Sequence, residues 1–381
     1  MPDATSPDRS SFRRQFPVLR LFDAAAIALS PASVAIASVA SVLIYISWWL
    51  VGYQIPFTRS AYSLSDSTER WLQTIGSIPK PEFLTYETVL RPWTSVTYPG
   101  ILILESSSSW NERFAGLVLL LLAIGIWSLA GTILCRRSAT LFVGKDESTV
   151  RSAIQYCLVR YPASVAAPLI PLFTALLIGL MIAGIGFVGR LPLLGSLWLL
   201  IASPVVMIFG FAIAFLLLVT AIGWPLMVAS VATDDCDSFG GLSRAYSGLT
   251  GRPWHVLVYG LISLLIGIVL ISMTKLLIAT AFFCTMSSIG FGSGEEQAQS
   301  SLLSPLTILS HIILSGVGVS FFWSASTVIY LLLRLEVDRV PLDRLALDDN
   351  ARPARDPLPV VGIPATDAWK QSNGQAPPES N

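Results

Sequence analysis

TDDCDSFGGLSRAYSGLTGRPW, residues 233–254, sets three aspartates, one cysteine and two arginines between two long apolar runs. Read as a reactive centre, it would make the chain a catalyst. Read as a wet turn, it joins two membrane crossings. The flanks favour the turn. Residues 198–222 and 254–274 are each long and apolar enough for a helix to cross a bilayer core of ~30 Å, which takes about 20 residues. Four more such stretches, at 32–53, 114–135, 163–187 and 305–333, bring the expected crossings to six.

The composition agrees. Of 381 residues, 53% are hydrophobic and only 13% charged, with a mean hydropathy of +0.67. A soluble domain carries about 25% charged residues. Lys plus Arg and Asp plus Glu balance at 24 each, so the charge gives no reason to expect a nucleic-acid partner. The four cysteines, Cys135, Cys157, Cys236 and Cys284, are scattered without a CxxC pair. They read as small hydrophobic side chains rather than as a disulfide or zinc site. No cleavable signal peptide is expected, since the polar N-terminal stretch is long and the apolar run behind it is long enough to span.

Basic residues set the expected orientation. Arg9, Arg13, Arg14 and Arg20 precede the first crossing, and Arg136, Arg137, Lys145, Arg151 and Arg160 follow the second. Arg244 and Arg252 follow the fourth, and six more lie from Arg334 to the end of the sequence. The opposite face has only Arg59, Arg70, Lys80, Arg91, Arg113 and Arg190, with Lys275 at a membrane edge. Both termini are therefore expected in the cytoplasm, and the chain in a bacterial inner membrane. The first outer loop, about 54–113, carries Trp71, Phe83, Tyr86, Trp93 and Tyr98, read as residents of the membrane interface. The Pro-, Asp- and Arg-rich tail reads as disordered.

Three cytoplasmic segments share a design, in which a short amphipathic stretch ends at a proline that begins a hairpin. In FDAAAIALSP, Phe22, Ala25, Ala26 and Leu29 precede Pro31. In STVRSAIQYCLVRYP, Val150, Ala153, Ile154, Cys157, Leu158 and Tyr161 form one stripe at helical spacing. Within the opening stretch, Phe239, Leu242, Tyr246 and Leu249 precede Pro253. Each reads as an interfacial elbow helix, with proline at the first position of the next helix, where its missing N–H costs nothing. The expected fold is an all-α membrane protein of six transmembrane helices, arranged as three repeats of elbow helix plus transmembrane hairpin. Its segments are an arm and first elbow (1–31), a first hairpin (32–135), second and third elbow-hairpin units (136–227 and 228–334), and a tail (335–381). Asp234, Asp235 and Asp237 are expected to cap the third elbow helix, with Arg244 and Arg252 pairing with them or with lipid phosphate.

SFGGLSRAYSGLTGRPW resembles a signature of uncharacterised six-span integral membrane proteins of planctomycete-type bacteria. IWSLAGTILCRRSATLFVGKDEST (126–149), GRLPLLGSLW (189–198), GWPLM (223–227) and FFWSASTVIYLLLR (321–334) extend the resemblance over crossings two to six. The sequence departs from that pattern at Gly240 and Gly241, where an acidic residue and alanine are usual, and at Ala130, where a glycine is usual. The resemblance implies the six-span topology and supplies no reaction, substrate or catalytic residue.

The expected crossings contain no Asp, Glu, Lys or Arg away from their ends, which argues against an ion or proton pathway. His255 begins crossing five and His311 lies in the outer part of crossing six, each read as a polar contact between helices. GxSxG, HExxH and the Walker A pattern do not occur, and GFGSG at 290–294 reads as a linker. No cofactor or metal is expected. Small residues recur every four positions at Ala175, Gly179 and Ala183, at Gly210 and Ala214, and at Gly316, Ser320 and Ser324, as in close helix packing. Pro168, Pro171 and Pro204 interrupt crossings three and four, as kinks or as the broken helices of a transporter. The leading expectation is a non-enzymatic scaffold, assembly factor or accessory subunit, whose partners are the bilayer and a membrane protein or second copy. The alternatives are a channel or carrier for a neutral or lipidic substrate near Pro204, and a membrane-embedded lipid-modifying enzyme using His255 or the aspartates.

Overall fold

A computed structural model describes residues 20–54, 86–105, 108–143, 150–191, 195–293 and 295–337. All of them fall in the first of two units, Met1–Arg344. In chain order the helices are α1 (Leu21–Ala28), α2 (Pro31–Gln54), α3 (Tyr86–Val89), α4 (Arg91–Leu104), α5 (Trp110–Phe142), α6 (Val150–Val188), α7 (Gly195–Asp234), α8 (Ser238–Gly251), α9 (Pro253–Ser293) and α10 (Glu295–Val337). Six of them, α2, α5, α6, α7, α9 and α10, are long and apolar enough to cross a membrane. Expectations for the 1–19 arm, Trp71, Phe83 and the tail beyond 337 lie outside the described residues.

The helices outrun the apolar stretches that announce them. α6, α7, α9 and α10 contain 39, 40, 41 and 43 residues, or about 60 Å each at 1.5 Å per residue. Crossing four, expected to stop at 222, continues to Asp234 because 223–233 is buried against neighbouring helices. Residues 290–293, expected as linker, continue α9. Arg136 and Arg137, placed beyond crossing two by hydropathy, are inside α5, and each is 8% exposed. Charge therefore does reach into the long helices at this end of the bundle, where protein groups replace water as its partners.

α1 and α8 are separate short helices, and Pro31 and Pro253 open the helices that follow them. The second expected elbow is different. Residues 150–161 run into the third crossing as one helix through Pro162. Proline removes one backbone hydrogen bond and kinks a helix without having to end it. Its stripe is also divided, since Ala153 and Cys157 pack against Ile133 and Ile36 while Ile154 and Leu158 stay exposed. In α8 the buried face is Gly241, Ala245 and Gly248. A Cβ on Gly241 would come within 2.8 Å of Val231, so glycine lets α8 lie close against α7.

The first loop gives the largest correction. Of its aromatics, expected at the interface, Trp93 instead lies among the helices, because residues 86–104 insert between them. Trp93 donates from Nε1 to Ala221 O of α7 at 3.0 Å, and buried Trp127 of α5 donates to Ser95 Oγ at 2.6 Å. Val89 is 3% exposed, and the Thr88 carbonyl rests where Gly318 of α10 has no side chain. Ala221 lies about 20 Å along α7 from Asp234. α4 is thus a half-length helix that starts deep among the others, while Tyr98 on it remains exposed. It leads to α5, whose start is fixed by a Ser109–Glu112 capping box.

α5 and α10 form the centre. Trp127, Trp323, Phe321, Leu134 and Leu331 are at most 1% exposed, and Trp323 meets Trp224 of α7 edge-on at 5.4 Å. The α10 stripe of small residues is used here. Ser320 donates to Ala28 O at 2.8 Å and Ser324 pairs with Ser138 at 2.9 Å, while Gly316 lets α2 approach through Ser38 and Val34.

Candidate functional site

The polar groups gather where α7 ends and α8 begins. The three aspartates expected as caps have three different roles. Asp237 is the cap, accepting from Gly240 N at 2.8 Å in the extended conformation of an N-cap residue. Asp234 is not a cap. Its side chain, 1% exposed, accepts from Arg244 of α8 and from Tyr330 and Arg334 of α10. Asp235 turns the other way, at φ 53°, a left-handed conformation that aspartate tolerates better than most residues. That turn aims its carboxylate at Arg160 Nη2 of α6, 2.5 Å away. The sequence places Asp234 and Asp235 side by side, and one backbone rotation sends them to opposite groups of helices.

A second layer surrounds these pairs. Tyr156 of α6 donates to Val231 O at 2.8 Å, and the Arg136 guanidinium lies 4.1 Å over its ring. Arg136 also donates to Ala232 O at 3.3 Å, while Arg137 Nε reaches Ser33 Oγ of α2 at 3.4 Å. Glu336 of α10 accepts from Tyr259 of α9, and His255 Nε2 lies 3.6 Å from its other oxygen. Burial pushes the Cys236 thiol up from its ordinary range, with Arg244 opposing and Asp234 assisting.

Of the other residues singled out in the sequence, Arg252 is exposed at the end of α8. His255 joins the α9–α10 contact. His311 lies apart, in the first half of α10, one turn from Ser315, to which Arg91 donates at 3.1 Å. Pro204 is exposed, whereas Pro168 and Pro171 are buried, and both helices run unbroken through these prolines. Cys135 and Cys157 are buried, Cys236 is half-buried and Cys284 is exposed, all as free thiols. Sequence reasoning missed Tyr156, Arg160, Tyr330, Arg334 and Glu336. They sit 75 to 100 positions from the aspartates or in a different hairpin, where no local pattern links them.

A cavity of about 230 Å³ opens beside the Asp234 cluster, between α8 and the last turns of α10. Ser243, Arg244, Ser247, Tyr330 and Arg334 supply its polar wall, and Leu226, Leu333 and Val337 are among its apolar residues. No carboxylate or histidine is among the residues that line it. The wall can hold an anion but has no proton acceptor suited to general-base work.

The chain is a polytopic membrane protein, all-helical among its described residues, where six helices are long and apolar enough to span. No family model, curated protein or solved structure matches it.

Proposed function

We propose that this protein is a non-enzymatic scaffold or accessory subunit of a bacterial inner membrane, with both termini cytoplasmic and its helices organised as three hairpin units. One observation carries the reading: small residues at packing spacing that face outward. Nothing lies within 4 Å of a Cβ built on Gly179 of α6 or Gly210 of α7, and Ala183 and Ala214, four positions on, are exposed, while Ala175 faces inward. The matching stripe of α10 is used up inside the bundle. Small residues let helix backbones approach closely, and in lipid that packing is what drives helices together. The α6–α7 surface suits a transmembrane helix of another subunit or of a second copy.

Photo-crosslinking from Ile208 and Phe211, which are 65% exposed on α7, tests this in native membranes. A discrete protein adduct, lost in Gly179→Leu and Gly210→Leu variants that still fold, is the expected result. Adducts to lipid alone, unchanged in those variants, would remove the proposal.

A carrier is the second reading, and α4 favours it. Half-length helices that begin at membrane depth build substrate sites in transporters. Liposome flux of a neutral solute that Arg91→Gln abolishes, with folding retained, would place the carrier first.

A further inference from the structure

We infer that the cavity between α8 and α10 binds an anionic phosphate group. Arg244 and Arg334 each give one Nη1 donor to Asp234. A guanidinium has five N–H donors in a planar fork suited to phosphate oxygens. Among the described residues Asp234 takes one donor from each arginine and Arg244 also bonds Tyr330, so further N–H groups of both forks can serve a ligand in the cavity they line. Two arginines against one aspartate leave the trio with a net positive charge, and Asp234 fixes both forks in place. Ser243 and Ser247 add hydroxyls one helical turn apart. Leu333 and Val337 give an apolar wall of the kind a glycerol backbone and acyl chain would follow.

Two sources could supply the phosphate: an anionic lipid headgroup or free inorganic phosphate. The surroundings bear on the source. Phe239 near the start of α8 is 66% exposed and Trp254 just beyond its end is 75% exposed, and such aromatics reside at headgroup level. The cavity therefore lies where phospholipid headgroups are concentrated. This inference is independent of the partner reading, since that face is on α6 and α7.

The test uses the full chain in maltoside detergent, which carries no phosphate, with phosphatidylglycerol or inorganic phosphate as probe. Thermal unfolding and native mass spectrometry read the binding. Phosphatidylglycerol is expected to raise the unfolding temperature and to remain bound to the ionised protein. Arg244→Gln should weaken binding about tenfold, the loss of one charge-assisted contact. Ser247→Trp, which fills the cavity but replaces none of the Asp234 partners, should abolish the shift and leave the lipid-free unfolding temperature near its original value. If inorganic phosphate alone gives the variant-sensitive shift, the site takes a free phosphate and not a lipid. If neither probe shifts unfolding, or if the shift is the same in both variants, the inference is overturned.

Discussion

Asp234 and Asp237 are three positions apart and differ in what they hold. Asp237 satisfies one backbone N–H at the start of α8, a contribution of about 1 kcal/mol. Asp234 is the buried counter-charge of two arginines and a tyrosine carried by α8 and α10. Removing one member of a buried pair costs about 3–5 kcal/mol because the other is left uncompensated. The lower end applies here, since the Arg244 side chain is 43% exposed and regains water. Asp234→Ala is therefore expected to lower the detergent unfolding temperature at least twice as far as Asp237→Ala, and equal effects would contradict the assigned roles. Cys236 offers a pH-dependent check. Burial raises its pKa, so at pH 8.5 less of it is thiolate than of a free cysteine. Its alkylation rate, measured by mass spectrometry, should trail that of free cysteine at that pH and approach it only at more alkaline pH.

At the scale of elements, the inserted α3–α4 segment separates this bundle from six plain crossings. Hydropathy could not reveal it, because RPWTSVTYPGILIL combines a charge, two prolines and several hydroxyls with its apolar residues. Those polar groups are satisfied by other helices: Ser95 by Trp127, Arg91 by Ser315, and Trp93 by the Ala221 carbonyl. Cysteines placed at Val89 and Ser95 are expected to resist a membrane-impermeant maleimide applied to intact cells and to react after denaturation. Ready labelling of both in folded protein would show a surface loop instead. α8 shows the same principle on a smaller scale. Gly240 and Gly241 lower intrinsic helix propensity by about 1 kcal/mol each relative to alanine. At Gly241 the absent Cβ is what lets α8 lie against Val231.

The whole molecule is uneven in burial. In its most apolar window α10 is 78% buried and α5 56%, whereas α7 is 11% and α6 and α9 are each 22%. Polar ties concentrate at the end where α5, α6, α7, α8 and α10 meet through the Asp234 and Asp235 pairs. Local opening is easiest where few contacts must be broken. In detergent, amide exchange should be slowest in α5 and the second half of α10, and fastest in the second halves of α6 and α9 and the first half of α7. Uniform protection across the six long helices would mean that stability does not follow burial in this bundle.

What the chain determines by itself follows from lipid, because a bilayer requires long apolar helices whatever their neighbours. The six spans, the short helices before Pro31 and Pro253, and the capping role of Asp237 are local in origin, and all could be read from composition and spacing. Tertiary structure decided the rest. It placed Asp234 and Asp235 in opposite networks, drew Arg160 and Arg334 to them from 75 and 100 positions away, carried residues 150–161 into a span, and inserted α4. Most of these turn on which buried group finds a partner once the helices have met, and that pairing joins positions too far apart in sequence for any local pattern to record.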